Sequence, residues 1–128
     1  MNPDDASVLV LCDFDELPDP GSHGFRLERM GEPLELLVVR REDRVFAYQN
    51  SCPHTGINLE WQPDRFLDIS LSFIQCATHG ALFRIDDGLC LRGPCVGQRL
   101  IPLKIGLVGG KVVLMDEPAG PPGYQPFA

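Results

Sequence analysis

The 13 glycines and 12 prolines spread through 128 residues limit how far any regular element can run. Proline removes a backbone donor and fixes φ, and glycine makes a helix or strand more costly to order, so both collect at turns. That density disfavours a helical bundle. Short β-like runs fill the gaps: Val8 to Cys12, Gly24 to Arg29, Leu34 to Arg40, Val45 to Tyr48, Ile69 to Gln75, Ala81 to Ile85, Ile101 to Ile105 and Lys111 to Met115. Arg41-Glu42-Asp43-Arg44 reads as a hairpin turn between the third and fourth runs, and Gly109-Gly110 as one between the last two. No convincing amphipathic helix, internal repeat or low-complexity block is present. The pattern predicts an all-β fold.

A 44% hydrophobic content is too high for a disordered chain. The length suits one globular domain, taken as 1–128, with little room for a second. From Asp116 the tail carries Pro118, Pro121, Pro122 and Pro126, so 116–128 reads as an extended strap. The net charge of −7 predicts repulsion from phosphate backbones, and nucleic acid is not an expected partner. Acidic residues at Asp4 and Asp5 stand where a secretory leader would be basic, and the apolar run from Val8 to Cys12 is too short to span a membrane. Five cysteines are an odd number and do not read as a disulfide framework. The expected compartment is the cytoplasm, without membrane attachment.

The stretch from Asn50 to Cys95 differs in character, with four of the five cysteines, two of the three histidines and the sole tryptophan. Two mixed clusters stand out in it: Cys52-Pro53-His54, then Cys76-Ala77-Thr78-His79-Gly80, with 21 residues between His54 and Cys76. Each offers one thiolate and one imidazole. Soft ligands concentrated in one loop-rich segment point to a metal site built on a β scaffold. Bringing the clusters together takes two adjacent loops, such as hairpin tips, which a single helix cannot present.

This pattern resembles the Rieske iron–sulfur family, and small bacterial Rieske ferredoxins in particular. The family's pattern is Cys-x-His followed by Cys-x-x-His-Gly. The second half continues here as Ala81-Leu82-Phe83, Asp87-Gly88 and Gly93-Pro94, the last pair similar to the family's proline loop over the cluster. The resemblance implies an antiparallel β-sandwich or barrel base with an inserted cluster-binding subdomain at about 50–95. It also implies one [2Fe–2S] cluster per chain, with Cys52 and Cys76 on the inner iron and His54 and His79 on the outer. The spacer between ligand pairs is a few residues longer than is usual, and Trp61-Gln62-Pro63-Asp64 reads as an enlarged turn. High-potential members add a cross-loop disulfide at the positions of Ile57 and Thr78, and hydroxyls at those of Ala81 and Phe83. Their absence here implies the low-potential, ferredoxin-like branch.

A Cys₂His₂ set also suits structural zinc, but zinc sites usually pair cysteine with cysteine and histidine with histidine. Cys12 reads as a small hydrophobe. Cys90 and Cys95 flank Leu91-Arg92-Gly93-Pro94 and either shield the cluster or pair with each other, with packing favoured by a reducing compartment. His23 lacks a cysteine neighbour and reads as a surface residue. Nothing resembles a mononuclear iron triad, a phosphate loop or a nucleophile–base motif, so catalytic residues are not expected and the chain by itself reads as a carrier rather than an enzyme. The expected role is to pass one electron from a flavin-containing reductase to a terminal oxidoreductase such as an aromatic-ring-hydroxylating oxygenase. The alternatives are a dedicated small subunit of a nitrite-reductase-like complex and a zinc-stabilised interaction module.

Overall fold

The computed structural model describes residues 8–29, 31–53, 59, 64–77 and 80–115. Among these, the strands are β1 (Val8–Asp13), β2 (Gly21–Arg29), β3 (Glu32–Arg41), β4 (Arg44–Gln49), β5 (Phe73–Gln75), β6 (Leu82–Arg84), β7 (Cys90–Arg92), β8 (Ile105–Val108) and β9 (Lys111–Met115). They pair into three antiparallel three-stranded sheets, in the orders β1-β9-β8, β2-β3-β4 and β5-β6-β7. The one helical piece among the described residues is a 3-10 turn at Phe14–Glu16. No helix there is long and apolar enough to cross a membrane.

The shared wall is β3. Its consecutive residues Leu36, Leu37, Val38 and Val39 are all fully buried. Side chains alternate across a strand, so such a run needs apolar cover on both faces. Leu36 and Val38 enter a base core with Leu17, Ala47, Leu103, Ile105, Val112 and Leu114. Leu37 and Val39 face the opposite way, into a second core with Phe46, Tyr48, Phe66, Ile74, Phe83 and four of the cysteines. One strand thus separates the base core from a core that holds Cys52, Cys76, Cys90 and Cys95.

The hairpin predicted at Arg41 to Arg44 forms with Arg41 opposite Arg44, and Glu42 takes φ 59° in the tight turn. The Gly109-Gly110 turn also forms, both glycines having positive φ. Two expected runs are reshaped. The first half of Ile69 to Gln75 is a turn rather than strand: the Asp68 carboxylate accepts the N–H groups of Ser72 and Phe73, both at 3.0 Å, and only Phe73–Gln75 continues as strand. Ile101 to Ile105 does not pair with β9 as a whole. Its Pro102 bridges to Tyr48 instead, and the strand facing β9 begins at Ile105. The short strand β7 had no expected counterpart. The tail 116–128 lies outside the described residues.

Candidate metal centre

β4 delivers the first cysteine. Directly after it, buried Asn50 donates its backbone N–H to the Glu35 carbonyl at 2.9 Å, which holds the chain against β3. The Asn50 side-chain oxygen then accepts the N–H of Leu59 at 2.7 Å. This bond draws the ends of the Cys52 loop together. Cys52 itself is 2% exposed, in the same core as Leu59.

β5 delivers the second. The Cys76 N–H donates to Ala81 O, and Gly80 N–H donates back to Cys76 O, both at 2.9 Å. Gly80 adopts φ 66° at that turn, a conformation glycine takes without steric cost. Ala77 N–H donates to Leu59 O at 2.9 Å. Leu59 therefore ties the two loops through its backbone, taking Asn50 on one side and Ala77 on the other. This adjacency is what the paired motifs required.

A third loop closes over the second. Gly93 has φ 106° and lies so near Ala81 that an added Cβ would sit 2.9 Å from both its Cα and its Cβ. Next to it, Cys95 Sγ lies 3.0 Å from Cys90 Sγ, both residues being 1% exposed. The Cys95 thiol is pushed up to about 12, first by burial, then by its hydrogen bond to Cys90 and the nearby charges of Cys90 and Cys52. The turn beneath is pinned by a bidentate pair from Arg84 to Asp87, at 3.0 and 2.6 Å. That pair, with the Leu89 N–H at 3.0 Å, holds the Asp87 carboxyl below its usual range despite partial burial. Tyr48 spans the core and donates its hydroxyl to Ile85 O at 2.6 Å. Burial raises its phenol well above the ordinary value.

Cys52 and Cys76 are thus buried and gathered in one apolar core. His54, His79, Ile57, Thr78 and Trp61-Gln62-Pro63 lie outside the described residues. Among the described residues no three Cys, His, Asp or Glu side chains converge as a complete metal set. The two thiols fit an iron–sulfur cluster in donor type and in their low-dielectric setting, with two further donors still to be supplied. Ala81 and Phe83 are buried in the same core, and neither carries a hydroxyl. Cys12 is partly buried beside the base core, as read from its apolar run, and burial raises its thiol. His23 sits half-exposed, stacked on Phe25 with ring centroids 4.5 Å apart and 3.4 Å from Asp64. Sequence reasoning missed Asn50 and the role of the Leu59 backbone. The one available signal was a buried-type strand ending in a lone amide just before a candidate ligand.

The Rieske [2Fe-2S] domain family matches residues 7–114 of the chain. The ferredoxin component of the alkene monooxygenase system of Xanthobacter autotrophicus is 30% identical over 115 residues, covering 90% of this chain and 86% of that protein. Among solved structures, the ferredoxin of Sphingomonas yanoikuyae B1 superposes with a TM-score of 0.65 at 25% identity, over 86% of this chain and 98% of that one. A chain in the complex of reduced oxygenase and oxidized ferredoxin in carbazole 1,9a-dioxygenase has a TM-score of 0.68 at 24% identity. That match covers 87% of this chain and 94% of the other, and it is a likeness of fold.

Proposed function

The chain belongs to the Rieske [2Fe-2S] domain family, and from that premise we propose that it is the ferredoxin of an oxygenase system, passing single electrons from a flavin-containing reductase to a terminal oxygenase. Cys52 and Cys76 as thiolates, with His54 and His79 as neutral imidazoles, would hold the cluster. When bound, the [2Fe–2S] cluster supplies a one-electron couple. The residues around it bind and orient. Asn50 and Leu59 keep the two ligand loops side by side. Gly93, packed on Ala81, lays the proline loop over the second of them. Leu37, Val39, Phe66 and Phe83 wall off water from the thiolate side.

The observation that carries this reading is the pair of buried thiols, Cys52 and Cys76, on loops bonded together through Leu59. The whole span 1–128 is read as one domain, with 50–95 as the cluster-binding part, working in the cytoplasm. A second reading, a dedicated subunit of a larger oxidoreductase, draws on Leu9, Val10, Leu107 and Val108. These apolar side chains are exposed on the outer strands β1 and β8, away from the cysteine core.

Salt separates the two. Transient redox contacts are small and steered by charge, and at net charge −7 the partner would present a basic face. Reductase-driven reduction of a terminal oxygenase through this protein is expected to slow steeply as ionic strength rises past the point where charges are screened beyond about 10 Å. Salt-resistant copurification with a large catalytic subunit would support the second reading and contradict the first.

A further inference from the structure

Two cysteines unused by the electron-transfer reading lie against each other. Cys95 Sγ is 3.0 Å from Cys90 Sγ, and Cys90 Sγ is 3.3 Å from the Arg92 carbonyl. The Cys95 S–H therefore donates to Cys90, and the Cys90 S–H to Arg92. The backbone already holds the two arms of the loop together. Cys90 N–H donates to Gln98 O at 2.8 Å, Gln98 N–H to Cys95 O at 2.9 Å, and Gly97 N–H to Cys90 O at 3.2 Å. Closing an S–S bond at about 2.05 Å asks for an approach of only about an ångström. Leu91, Arg92, Pro94 and Val96 are all exposed, so a single layer of loop separates the thiols from solvent. Small hydrophobes packed for volume alone do not need their sulfurs in contact.

We propose that Cys90 and Cys95 are a reversible oxidation site, converted by a hydroperoxide into an intrachain disulfide that staples the Gly93-Pro94 turn. The two S–H bonds and the peroxide O–O bond break, one S–S bond forms, and two waters leave when the oxidant is hydrogen peroxide. The thiols lose two electrons and the peroxide gains them. A dithiol reductant reverses the step, returning both S–H bonds and becoming a disulfide itself. The staple acts on the cluster region because Gly93 rests on Ala81, whose carbonyl accepts the Cys76 N–H. This consequence rests on the reading of Cys76 as a ligand, whereas the bond itself does not.

The test uses the full chain purified anaerobically with its cluster. Because both thiols are buried, it is treated with excess hydrogen peroxide for hours, then denatured in alkylating agent and mapped by peptide mass. The expected product is a Cys90–Cys95 linked peptide, lost on dithiothreitol treatment, with Cys12, Cys52 and Cys76 alkylated. Alkylation of Cys90 and Cys95 after peroxide, their conversion to sulfinic acids, or bridges to other cysteines would overturn the proposal. Cys12→Ser should still give the linked peptide, and Cys95→Ser should not. Mapping of the unaltered chain decides the matter even where a variant fails to fold. In the linked holoprotein, iron release to a chelator is expected to slow several-fold, and an equal rate would overturn the staple. The peptide mapping reads the bond whether or not iron is bound, so its failure is distinct from failure of the ligand assignment.

Discussion

Asn50 ties the Cys52 loop toward the Cys76 loop, its side-chain oxygen accepting the Leu59 N–H at 2.7 Å. Asn50→Leu keeps the volume and removes the acceptor, leaving a buried donor unmet at a cost of about 1–3 kcal/mol. Denaturant unfolding is expected to show that loss, with faster bleaching of the visible spectrum, while Asn50→Asp, which retains an acceptor, recovers most of it. Ala81 and Phe83 set a second expectation. Neither offers a hydroxyl to the cluster sulfurs, so the midpoint potential should lie at the low end of the Rieske range, near about −150 mV. A midpoint well above zero in a redox titration contradicts it. Cys52 and Cys76 stood out as candidate ligands because soft donors in two mixed pairs are rare outside metal sites. Asn50 was not, because an amide at a strand end looks like any turn residue, and its partner is a backbone group with no sequence signature.

Among the elements, legibility followed how much of each was decided locally. β3 and β4 were placed well, since an apolar run on each side of a turn leaves little freedom. The run from Ile69 failed because Asp68, just before it, captures the amides that a longer strand would have used. The run from Ile101 shifted because Pro102 has no N–H to give a ladder and lies along the edge of β4 instead. β7 was invisible, being three residues whose pairing with β6 follows from the turn between them. That turn is itself testable. Arg84 holds the Asp87 carboxyl below its ordinary range, so the ionised group favours the folded state above the unfolded value of about 3.9. The contribution is lost as pH falls through the folded value. The stability gap between the native protein and Asp87→Asn, read by denaturant unfolding, should be open at neutral pH and close in acid. A gap that widens in acid contradicts the assignment.

At the scale of the whole molecule, β3 divides the labour. One face closes a core that only holds the fold, and the other closes the core that carries four cysteines. The division keeps Cys52 and Cys76 buried on the face of β3 opposite the base core. The all-β class and the carrier role were readable in advance, whereas the meeting of three loops over one core depends on long-range bonds that no periodicity encodes. The central claim is mixed nitrogen and sulfur ligation of one [2Fe–2S] cluster by Cys52, Cys76, His54 and His79. The direct measurement is pulsed EPR of the dithionite-reduced protein, purified without air and assayed for iron and sulfide. The expected result is two irons and two sulfides per chain, with hyperfine coupling to two imidazole nitrogens, as Rieske ligation requires. A cluster with no nitrogen coupling, or a colourless protein with stoichiometric zinc, would contradict it.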